Sequence, residues 1–133
     1  MNSSVHAKSY QELNVYEKAF NLSKAVFEIT KAFPKEESYS LTDQLRRSSR
    51  SIGAQIAEAW AKRRYEKHFI SKLTDADAEQ MESQHWMHVA YSCGYISEEV
   101  LQNWLTELNT IERMLHSMMK KSETFCTVKH PRA

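Results

Sequence analysis

Turn-forming residues are almost missing from this chain: Gly53, Gly94, Pro34 and Pro131 are its only glycines and prolines. A sheet-rich fold places such residues at most of its hairpins and crossovers, because tight turns need backbone angles that other residues adopt only at a cost. The chain therefore reads as long helices joined by few, short connections. Its 133 residues, 41% of them hydrophobic, can build one ordinary core and are too few for two.

Apolar spacing divides the chain into four segments. Ser9 and Glu12 have the form of a capping box and predict a first helix that Phe33-Pro34 ends. Within it, Val15, Ala19, Leu22, Val26, Ile29 and Phe33 form one stripe and Leu13, Tyr16, Phe20 and Phe27 a second, so the apolar sector covers about half the circumference. Ser40 with Asp43 starts helix two, whose inward stripe is Leu41, Leu45, Ser48, Ile52, Gln55 or Ile56, and Ala59. Helix three carries Phe69, Leu73, Ala76, Gln80, Ser83, Met87 and Ala90, and Gly94 stops it. Ser97, Glu98 and Glu99 start helix four, with Leu101, Trp104, Leu108, Ile111, Leu115 and Met118 inward. The stretch AKRRYEKH between helices two and three contains neither Gly nor Pro. A reversal near Arg64 is expected all the same, since one long isolated helix leaves its stripes in water and an antiparallel bundle buries them. The expectation is an all-α, antiparallel up-and-down four-helix bundle over residues 9–121, between a flexible N-terminus (1–8) and a disordered tail (122–133).

Polar residues interrupt the stripes at Ser48, Gln55, Gln80 and Ser83. A turn near residue 65 puts Ser48 and Ser83 at one height, which reads as a hydrogen-bonded layer that fixes register. Gly53, Ala54, Ala57 and Ala61 make a slim back face on helix two. Such residues are either good surface helix formers or a place where another backbone comes close. The surplus apolar surface of helix one, at Leu13, Tyr16, Phe20 and Phe27, favours contact with a neighbouring subunit.

A net charge of +1 gives no bulk attraction to nucleic acid or an anionic membrane, so any such attraction is local. Residues 41–65 hold six basic against two acidic side chains and residues 66–94 two against five. Arg46, Arg47, Arg50, Lys62, Arg63 and Arg64 therefore either pair with acids of adjacent helices or subunits, or form a surface for RNA or DNA phosphates. Trp60, Trp86 and Trp104 fit core or interface anchors better than base-stacking platforms. Glu82 and His85 make a Glu-x-x-His step, followed by His88, but a carboxylate-bridged metal centre needs a second such step. Helix four supplies only Glu112 and His116 at a spacing of four, so no metal is expected. No phosphate loop, nucleophile set or cofactor motif occurs, and no catalytic residue is assigned. Cys93 and Cys126 have no metal or redox spacing, and the N-terminus lacks a signal-peptide core. A cytoplasmic protein without a membrane span is the expectation.

A series of short motifs runs along the chain: Phe33-Pro34 with Glu37, Gln44-Leu45-Arg46-Arg47-Ser48, Ser51-Ile52, Gln55-Ile56-Ala57-Glu58, and Ala76 through Glu82 leading to Gly94-Tyr95-Ile96. Their order resembles a bacterial four-helix-bundle family first noticed as reading frames in intervening sequences of large-subunit ribosomal RNA genes. Gln55 and Ala59 stand where the family usually has Asn and Gly. The resemblance implies an antiparallel bundle that assembles as a homo-oligomeric ring, commonly a pentamer, with no established enzymatic activity. It also brings in accessory proteins of diversity-generating retroelements, which bind a reverse transcriptase and nucleic acid through a basic surface. Two functions follow as expectations: a non-enzymatic scaffold or adaptor for a protein partner, or an RNA- or DNA-binding accessory acting through helix two.

Overall fold

The computed structural model describes residues 7–126. Its elements are α1 (Asn14–Thr30), α2 (Leu41–Ala61), α3 (Glu66–Ser92), α4 (Glu98–Lys120) and the short α5 (Ser122–Phe125), with 3-10 turns at Tyr10–Glu12 and Lys35–Glu37. No strand occurs among the described residues. Helices α1 to α4 run up and down, and α1 packs on α2, α2 on α3, α3 on α4 and α4 back on α1. This is an antiparallel four-helix bundle, and the core lies along its axis.

The inward stripes of α3 and α4 are buried at every position expected of them. In α2 the inward residue is Ile56, and Gln55 stands half-buried beside it. Ser83 Oγ donates to Ser48 Oγ at 3.0 Å, and both serines are fully buried. Ser48 Oγ in turn lies 3.4 Å from the Leu45 carbonyl, so the layer is satisfied within the bundle. Gln80 belongs to a different network, and Gln55 Oε1 has no hydrogen-bond partner among the described residues.

Both turns flanking the α3–α4 connection follow from local chemistry. Gly94 has φ of +81°, the left-handed conformation that costs a side-chain-bearing residue about 1 kcal/mol or more. There the Gly94 and Tyr95 amides donate to the carbonyls of Tyr91 and Ala90, which closes α3 with a Schellman motif. The Ser97 hydroxyl then accepts from the Val100 amide at 3.1 Å and caps α4. At the same end of the bundle, Tyr95 OH donates to Glu37 Oε2 (2.9 Å) and Ser40 Oγ donates to Glu37 Oε1 (2.8 Å). These bonds hold the Glu37 carboxyl below the usual carboxylate range and push the Tyr95 phenol up to about 12.

Two expectations are corrected. Ser9 caps only the 3-10 turn, without a side-chain bond, while Glu12 Oε1 accepts from the Lys8 amide. Leu13 is extended, at φ −73° and ψ 131°, and its side chain is 1% exposed in the core, so α1 begins at Asn14. Burial of Leu13 thus overrides the cap signal four residues upstream. Residues 122–126 of the expected disordered tail are ordered instead. Phe125 stacks on Phe69 at 5.9 Å, and Ser122 Oγ donates to Glu66 Oε2, closing the bundle at the α2–α3 turn. Residues 1–6 and 127–133 lie outside the described residues.

The serine layer generates a prediction. In a double-mutant cycle followed by urea unfolding, Ser48→Ala and Ser83→Ala should each cost about 1 kcal/mol, and the double variant should cost less than their sum. Strict additivity would show that the hydroxyls do not act on each other.

Candidate functional site

Helix α1 presents its second stripe to the slim face of α2, and the two form an open groove on the outside of the bundle. Its walls are Tyr10, Tyr16, Phe20, Lys24, Phe27 and Glu28 on one side and Arg50, Gly53, Ala54 and Ala57 on the other. Gly53 is buried under Tyr16: a Cβ built on it would lie 3.4 Å from Tyr16 Cε1. The glycine therefore serves the approach of α1 to α2 within one chain. Tyr16 is held edge-on by Tyr10 at 4.9 Å and stacks on Phe20 at 6.0 Å. Phe20 itself remains 50% exposed. Burying the open half of such a ring contributes about 1 kcal/mol.

The groove ends in a cationic cluster around Phe27. Arg46, Lys31 and Arg50 stand over that ring at 4.6, 4.9 and 5.2 Å. Arg46 is further fixed, since its Nε donates to Thr30 Oγ1 at 2.7 Å and its Nη2 lies 3.4 Å from the Phe27 carbonyl. A guanidinium there faces the C-terminus of α1, where unpaired carbonyls favour positive charge.

The six basic residues read from the sequence do not form one surface. Arg47 turns to α3 and pairs with Glu82 (2.6 Å) and Glu79 (3.4 Å). Arg63 lies on the Trp60 ring at 3.7 Å and donates from Nε to the Trp60 carbonyl at 2.8 Å. Arg64 lies against Tyr65, and Lys62 is exposed near Glu58. Arg50 and Lys62 stand 12 positions apart along α2, so the two clusters are separated by about 18 Å. Only Arg46, Arg47 and Arg50 share a shallow depression, and Asp43 lies in it too.

The eight residues expected at a subunit interface divide similarly. Leu13 and Gly53 are enclosed in the chain's own interior. Tyr16, Phe20, Phe27, Ala54 and Ala57 line the groove, while Ala61 is exposed beyond its end. Tyr10, Lys24 and Glu28 are groove residues that the sequence reading missed. Lys24 and Glu28 lie one turn beyond Phe20 and Lys24 respectively, so continuing the Phe20 stripe by fours would have found them.

A second cluster joins α3 to α4. Asp77, Glu112 and His116 bring three potential ligand atoms within 4.8 Å of one another, with Asp77 Oδ2 and His116 Nε2 3.0 Å apart. The Glu-x-x-His step is used otherwise: Glu82 binds Arg47 and accepts from Trp86 Nε1 at 3.0 Å, and His85 lies edge-on to Trp86.

Residues 11–117 match the model of the 23S rRNA-intervening sequence protein family. The chain is also similar to a crystal structure from Bacteroides thetaiotaomicron VPI-5482, a protein with unknown function from the S23 ribosomal protein family. The two share 27% identity and a TM-score of 0.73, over 80% of this chain and 95% of that chain. No curated protein matches. Among the described residues no helix is long and apolar enough to cross a membrane.

The Arg47–Glu82 contact sets a pH dependence. Hydrogen bonds from Trp86 and then Arg47 hold the Glu82 carboxyl below its ordinary value of 4.5. A depressed carboxylate stabilises the fold above that value and loses its contribution as pH falls through the folded one. Glu82→Gln should therefore flatten the loss of stability below about pH 4.5 in acid unfolding curves. An acid limb identical to that of the unaltered protein would place the dependence elsewhere.

Proposed function

The chain belongs to the 23S rRNA-intervening sequence protein family, and on that premise we propose that it is a non-enzymatic, homo-oligomeric scaffold or adaptor of the cytoplasm. One observation carries this reading: the α1–α2 groove, whose apolar floor of Tyr16, Phe20, Ala54 and Ala57 a single chain leaves open. A complementary surface on a second copy buries that floor. Contact between two different patches propagates around an axis and closes into a ring, five subunits being the number the family resemblance suggests.

Nucleic-acid binding has weaker support. Arg47, Arg46 and Arg63 are engaged with acids, carbonyls and rings of their own chain, which leaves few side chains to neutralise phosphates. Ring repetition would multiply what remains, and a steep fall of RNA affinity with salt is the signature of that reading.

Phe20→Asp should convert the oligomer to a single 15.6 kDa chain in light scattering while leaving the helical circular dichroism unchanged, because half of this ring already faces water. An oligomer that survives this substitution would remove the groove from the interface.

A further inference from the structure

We propose that Asp77, Glu112 and His116 bind a first-row divalent metal ion such as zinc. Glu112 and His116 lie one turn apart on the same face of α4, and Asp77 meets them from α3. One imidazole nitrogen and two carboxylates are a ligand set zinc accepts, with bonds of about 2.0–2.2 Å and a fourth position left to water. Asp77 and His116 already have the spacing of neighbouring ligands at 3.0 Å, and a Glu112 carboxylate oxygen lies within 4.8 Å of both.

Electrostatics favour an added cation here. Glu58, Asp75, Glu79, Glu82 and Glu107 each pair with a lysine or arginine, yet among the described residues neither Asp77 nor Glu112 does. The half-buried Asp77 and Glu112 carboxylates lie within 4.8 Å of each other and of the exposed His116 ring. A divalent ion supplies the missing charge.

Gln80 provides an independent observation. It is 0% exposed in the α3 stripe, a costly place for an amide, and donates from Nε2 to Asp77 Oδ1 at 2.9 Å. Its own Oε1 accepts from Gln84 Nε2 at 2.8 Å. This relay fixes the Asp77 carboxylate with Oδ2 facing His116, the outer-shell support that metal-binding carboxylates commonly have. The 50% exposed side chain of His116 leaves an entry path for the ion. Since the imidazole ligates only when deprotonated, affinity falls in acid.

The test is titration of the metal-stripped full chain with ZnCl₂ by calorimetry and with Co²⁺ by visible absorption. One ion per chain, an intense tetrahedral cobalt band and a raised Tm are expected. Asp77→Asn, Glu112→Gln and His116→Ala should each abolish the band, and Gln80→Leu should weaken binding about tenfold. His85→Ala with His88→Ala should leave it intact. Absence of saturable binding at tens of micromolar metal would overturn the site, as would loss of binding in the His85/His88 variant alone or its retention without His116. Circular dichroism of each variant separates lost ligation from lost folding.

Discussion

Along the seam between α2 and α3, three contacts impose one register. The buried Ser48–Ser83 hydrogen bond, the Arg47–Glu82 pair and the Glu58–Lys72 pair are each centred close to residue 65, in the turn itself. Apolar burial alone tolerates sliding of one helix by a turn, whereas a buried hydroxyl displaced from its partner is left unsatisfied. With that seam set, the remaining inward stripes of α2 and α3 face α1 and α4. The slim back of α2 is then directed outward, under the second stripe of α1.

Much of this was legible in the sequence because it rests on periodicity and short-range chemistry. The stripes of α3 and α4, the left-handed Gly94 and the Ser97 cap each depend on residues within one or two turns. The serine layer required only a turn position and a rise per residue. What failed depends on contacts across the fold. Leu13 leaves the helix because the core takes its side chain, and Phe125 is ordered because Phe69 receives it. The slim stripe on α2 was recognised, but periodicity does not say that Gly53 is spent on Tyr16 of the same chain. Likewise Glu112 and His116 were noticed without Asp77, which reaches them from another helix.

The arginines of α2 show how composition and function part company. A basic segment beside an acidic one looks like a nucleic-acid surface and an ion-paired seam equally well. The folded chain sends Arg47 into the seam and uses Arg46 and Arg50 to hold Phe27 at the end of the groove. Their positive charge thus shapes the rim of an apolar surface. Such a surface suits a protein neighbour, with charge at its edge giving orientation and the aromatic floor giving area.

If the protein assembles as proposed, the α1–α2 floor that is open in one chain is covered in solution. Hydroxyl-radical footprinting across a dilution series measures this directly, with Tyr39, 96% exposed, as the internal reference for Phe20. Phe20 oxidation, relative to Tyr39, should be suppressed at high protein concentration and rise to the level of a half-open ring on dilution. A ratio that stays at that half-open level at every concentration would contradict the proposed assembly.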